Sequence, residues 1–110
     1  MNANDKCKLD ENGEPVPCGL LEWAACFESS ALRQVARETV ADSDVSTVFL
    51  GLDHQWGDGP PLIWETMVFG GKLDQEQDRC GGTRAEALAM HARMVERVKL
   101  AIAKATGGTA

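Results

Sequence analysis

The residues best equipped for chemistry are two histidines and the carboxylates near them. His91 stands in the middle of an apolar helical stripe, so it faces a core and not water. A buried neutral imidazole needs a partner for its N–H, and burial lowers its pKa. Its partner on a functional reading is Glu65, the one ionisable residue within the hydrophobic segment LIWETMVF, or the pair Asp53-His54. Two histidines and two carboxylates brought together could hold a metal or form an acid–base set. On the plainer reading His91 is a core histidine satisfied by a backbone carbonyl or by Glu65, and nothing in the spacing forces the four residues to converge.

Cys7, Cys18, Cys26 and Cys80 are separated by 11, 8 and 54 positions, with no C-x-x-C pair, and only His54 and His91 could complete a zinc set. The N-terminal stretch MNANDKCKLDENGEP lacks the basic and apolar regions of a secretory signal. The chain is therefore expected in the cytoplasm, with its thiols reduced and serving as small apolar side chains. Neither a cofactor nor a resident metal is expected.

The segment Asp53-His-Gln-Trp-Gly-Asp-Gly-Pro-Pro61 is longer than a tight hairpin requires. Trp56 in it either folds back over a sheet end or contacts a partner, as interface tryptophans do. The binding candidates are thus Asp53, His54, Trp56, Glu65 and His91, with no residue assigned a catalytic role. The sequence has no G-x-x-x-x-G-K-[ST], G-x-S-x-G or H-E-x-x-H, and no G-x-G-x-x-G following a strand, which points away from an enzyme.

Charge narrows the partners. The net charge is −6, but residues 1–78 carry 5 Lys/Arg against 15 Asp/Glu and residues 79–110 carry 6 against 2. Arg93, Arg97 and Lys104 form a basic strip interrupted by Glu86 and Glu96, without aromatic platforms, so nucleic-acid binding is not expected. No apolar run reaches the ~20 residues of a membrane-spanning helix.

The elements that must position these groups are legible in the pattern. Asn12-Gly13 marks a hairpin between Cys7 and Pro17, whose prolines confine the second arm to an edge. Leu20, Trp23, Ala24 and Phe27 recur at helical spacing. Residues 32–40 scan as helix or as strand; strand is chosen, because the turn Ala41–Asp44 leads directly into the strand Val45–Leu52. That strand and Leu62–Phe69 should form the central hairpin of a sheet with two apolar faces, one under the helices and the other covered by a symmetric partner. A polar connection spans Lys72–Gly82. A capping box, Thr83-Arg-Ala-Glu86, then opens a long helix with Ala87, Leu88, Met90, His91, Met94, Val95, Val98, Ala101 and Ile102 on one arc. The expected fold is α+β: a small antiparallel meander of three to four strands against a short N-terminal helix and a long C-terminal one. It occupies residues 7–106, between a flexible N-terminus (1–6) and tail (107–110).

The block VSTVFLGLDHQWGDGPPLIWETMVFGG followed by DRCGGTRAEALAMHARMV resembles a family of small uncharacterised bacteriophage and prophage proteins. VSTVFLGLDH, ETMVFGG and the later Glu86, Ala87 and His91 carry the likeness, over about Val45–Val95. The resemblance implies a phage-derived accessory gene and transfers no activity. With the small size and the two-faced strands, it leads to a non-enzymatic protein that binds a host or phage protein, such as an inhibitor of a host or defence protein, and forms a homodimer. The alternative is a dimeric protein that takes a small ligand or metal near His54, Glu65 and His91.

Overall fold

A computed structural model describes residues 6–28, 33–51 and 62–107. Among these the chain forms β1 (Cys7–Leu9), β2 (Pro15–Pro17), α1 (Leu20–Glu28), β3 (Gln34–Val40), β4 (Ser43–Phe49), β5 (Trp64–Phe69), β6 (Gln77–Cys80) and α2 (Arg84–Gly107). β1 and β2 make a two-stranded antiparallel ribbon, and β3-β4-β5-β6 make a four-stranded antiparallel meander. The expected α+β class, with an antiparallel sheet and two helices, is what the structure shows. No helix of the described residues is long and apolar enough to cross a membrane.

The first hairpin closes where Asn12-Gly13 announced it. Asp10 Oδ1 accepts hydrogen bonds from the backbone N–H groups of Asn12 and Glu14, at 2.8 and 2.9 Å, and Gly13 takes a left-handed φ of 77°. The ribbon then joins the main sheet end-on, with Cys7 N donating to Gly51 O at 2.7 Å. Gly51, at φ 76°, also leaves room for the Trp23 indole: a Cβ there would lie 2.6 Å from Trp23 Nε1. This contact seats α1 against the chain just past β4, beside Cys7 of the ribbon. Leu20, which shares the helical spacing of Trp23, is 61% exposed.

β3 is a strand, as chosen, but its faces differ from simple alternation. Gln34 pairs with Val48 and Ala36 with Thr47, so Val35 is the extra residue of a bulge. Val35 therefore packs on the helix side, like Ala36, instead of sharing a face with Arg37 and Thr39. The turn to β4 is tighter than expected: Ser43 and Asp44 already belong to the strand, and only Ala41 and Asp42 turn. The polar connection Lys72–Gly82 contains a fourth strand, β6, whose short polar sequence QDRC carries no strand periodicity. It pairs because Trp64, Glu65, Thr66 and Met67 offer it an open edge.

α2 lies across the sheet. Val45 and Val68 meet Met94, Val95 and Val98 in one cluster, while Phe49, Ile63 and Trp64 meet Ala87 and Met90 in a second. Each large apolar side chain removed from water here contributes about 1.5–3 kcal/mol. Leu88, counted on the buried arc, is 42% exposed, because the sheet is narrower than the arc. Thr83 caps the helix, its Oγ1 accepting from Glu86 N at 3.3 Å, and Glu14 Oε1 accepts from Arg84 N at 3.0 Å. The helix runs through Gly107, one residue past the expected domain end.

Candidate functional site

The inward residues of β4 alternate regularly: Ser43, Val45, Thr47 and Phe49 are buried, and Asp44, Ser46 and Val48 are half-buried on the opposite face. β5 repeats this with Trp64, Thr66 and Val68 inward. Thr47 and Thr66 are direct cross-strand partners, and each occupies the position between two apolar residues of its strand. Their hydroxyls hydrogen-bond to each other, and Thr47 Oγ1 lies 2.8 Å from His91 Nδ1. His91 is 8% exposed and both threonines are fully buried. The trio therefore forms a polar layer between the two apolar clusters, linking the long helix to both central strands.

Burial holds the His91 pKa below its ordinary value, with the Glu38 carboxylate opposing that shift. A neutral ring accepts a hydrogen bond from the Thr47 hydroxyl or donates one to it according to tautomer. The hydroxyl–imidazole pair has the atoms of a nucleophile and its base, but the buried hydroxyl of Thr47 offers a substrate no approach. The layer positions the helix on the sheet. A core histidine satisfied by Glu65 or by a backbone carbonyl was expected; its partner is a threonine.

Glu65 lies on the other face of the sheet. Its Oε2 accepts from Arg79 Nε of β6 at 2.9 Å. Strand alternation thus separates Glu65 from His91, and the expected pairing of the two is corrected. Asp53, His54 and Trp56 fall outside the described residues. Of the five candidates, then, the structure places two, and puts them on opposite sides of one sheet. Among the described residues, no three His, Cys, Asp or Glu side chains come together as a metal site. Cys7, Cys18 and Cys80 are half-buried. Burial, reinforced by Glu86 and Asp78, pushes the Cys80 thiol up, and Arg93 opposes this.

The face that holds Glu65 is the more accessible surface. Val48 and Met67 are half-buried on it and Phe69 is 46% exposed, forming an apolar diagonal over β4 and β5. The Glu65–Arg79 pair flanks the diagonal on the β6 side. On the β3 side Arg37 forms a forked ion pair with Asp44, and Gln34 Nε2 donates to Ser46 Oγ at 3.1 Å. The hydrogen bond from Arg37 holds the Asp44 carboxyl below the usual range, and the Arg37 guanidinium is raised in turn. Sequence reasoning missed Arg37, Asp44 and Arg79, because their partners are set by cross-strand register. The signal for Thr47 and Thr66 was present: each is a polar residue at an inward position of a buried strand.

The class defined by these features is a small α+β domain, a four-stranded antiparallel sheet backed on one face by a single long helix. No protein-family model matches the sequence, and no solved structure matches it significantly. Among curated proteins, an anhydro-N-acetylmuramic acid kinase of Shewanella pealeana is 30% identical over 86 residues. The match covers 78% of this chain and 22% of the enzyme, so the chain spans about a fifth of that relative's length.

Proposed function

We propose that this protein is a small phage-type accessory protein of the cytoplasm that works by binding another protein, without catalysis, and that the open sheet face is its docking surface. The supporting observation is the diagonal of Val48, Met67 and Phe69, set between two internally neutral ion pairs. Apolar area framed by satisfied polar groups is the anatomy of a protein interface. Because each charge on the face already has its counter-charge, the partner presents an apolar centre and gains little from net charge. The ligand-site alternative loses its convergent set, since Glu65 and His91 face opposite ways. The kinase similarity covers 22% of that enzyme, too little to bring its activity here.

The test is affinity capture with the tagged protein from uninfected and phage-infected bacterial lysates, beside Phe69→Asp and Met67→Glu variants. A protein retained by the wild type and lost from both folded variants supports the reading. Equal capture by all three, or no capture, overturns it.

A further inference from the structure

Two surfaces at opposite ends of the molecule carry complementary chemistry. α1 turns Leu20 and Leu21 to solvent, 61% and 85% exposed. Its only charged side chains are Glu22 and Glu28, both acidic. Among the described residues, this pair of adjacent exposed leucines on a short helix is an apolar surface turned to solvent. At the far end, a groove of about 260 Å³ is floored by Leu73, Leu100 and Ala101 and edged by Arg97 and Lys104. Leu100 is itself 60% exposed.

The two surfaces cannot meet within one chain. The ribbon and α1 sit at the Arg84 end of α2, through the Glu14–Arg84 hydrogen bond and the seating of Trp23 on Gly51. Leu100 is some four turns further on, about 24 Å along the helix axis.

We propose that α1 of one copy docks in the α2 groove of a second copy. Leu20 and Leu21 cover Leu73, Leu100 and Ala101, and the carboxylates of Glu22 and Glu28 face Lys104 and Arg97. Glu22 now pairs with Lys8 at 2.7 Å and Arg97 with Glu76 at 3.1 Å. Both pairs are exposed, contribute little in water and exchange readily for intermolecular ones. The contact joins unlike surfaces, so two copies either exchange it reciprocally about a two-fold axis, as an isologous pair, or pass it on head to tail. It uses neither the open sheet face nor His91, and does not depend on the protein-binding reading.

Sedimentation velocity over a range of protein concentrations tests it, with Leu21→Asp and Leu100→Asp/Lys104→Glu as variants whose folding is checked by circular dichroism. All substituted positions are solvent-exposed. The wild type is expected to sediment as a species heavier than one chain. Each variant alone is expected to sediment as a monomer, and an equimolar mixture of the two to recover a dimer, since one intact α1 then meets one intact groove. Phe69→Asp, on the open sheet face, is expected to self-associate as the wild type does. A monomeric wild type at high micromolar concentration overturns the proposal. So does undiminished association of Leu21→Asp, or failure of the mixture to re-form dimers.

Discussion

His91 Nδ1 on the long helix and Thr47 Oγ1 on the second strand of the sheet lie 2.8 Å apart, with Thr66 bonded to the same hydroxyl from the neighbouring strand. Three elements are thereby tied at one buried point, between two apolar clusters that would each tolerate some sliding of the helix. Thr47→Val keeps the shape and removes the shared hydroxyl, leaving both other groups unpartnered. It is expected to destabilise the fold by about 1–3 kcal/mol. His91→Leu should do likewise, and the double variant should lose less than the sum, because it removes both partners at once. Urea unfolding of the four proteins measures this; strict additivity would mean the pair is not coupled.

The same histidine gives stability a pH dependence. Its folded-state pKa lies below the ordinary 6.5, with burial the leading cause. As pH falls through that ordinary value, the unfolded chain binds a proton that the folded chain still refuses, so stability is full above it and is lost on acidification. The slope approaches at most about 1.4 kcal/mol per pH unit. Urea midpoints measured between about pH 7.5 and pH 5.5 should fall in the wild type and stay flatter in His91→Gln. A wild-type midpoint that does not change across this range would contradict the expectation.

Trp64 serves the second cluster and the helix entry together. It is fully buried, its ring centroid is 5.0 Å from that of Phe49, and its Nε1 donates to Gly82 O at 3.0 Å. Trp64→Phe should cost about 1–3 kcal/mol through the unpaired carbonyl and the lost ring. Trp64→Ala should cost about 3–5 kcal/mol. Thermal and urea denaturation rank the two.

Gly70 ends β5 with φ 86°, and a Cβ there would stand 2.5 Å from Asp42 O. Backbone atoms cannot move aside as a flexible side chain does. Gly70→Ala is expected to destabilise by at least about 1–2 kcal/mol, read as a lowered melting temperature.

The parts of the fold that could be read in advance are those in which one residue type dominates its own position. Asn12-Gly13 marks a turn, Thr83 a helix start, and the stripe from Ala87 to Val98 a buried face, with Leu88 exposed and Ala101 and Ile102 half-buried beyond it. The central strands are visible from Val45, Val48, Phe49 and Val68, although their polar members, Thr47 and Thr66, are inconspicuous beside the ionisable Glu65.

What escaped depends on register. Whether Glu65 meets His91 or Arg79 is decided by which strand lies beside β5 and by the parity of the pleat, and a one-residue shift inverts the answer. β6 has four polar or small residues and pairs because an edge is open, so it has no periodicity to detect. The bulge at Val35 has the same origin: it is a fact about two strands, and neither shows it alone.

The start of α2 has a consequence for the ligands this domain can take. A helix of 24 residues concentrates roughly half a unit of positive charge at its N-terminus, where phosphate groups commonly settle. Here Glu14 accepts from the first amide across 70 residues of sequence, and the Glu86 carboxylate lies against Gly82, where a Cβ would be 2.0 Å from its Oε2. Two carboxylates of the chain occupy the ground an anion would take. A nucleotide or phosphorylated peptide approaching this end would meet negative charge, and could bind only by undoing the link between the N-terminal ribbon and the helix.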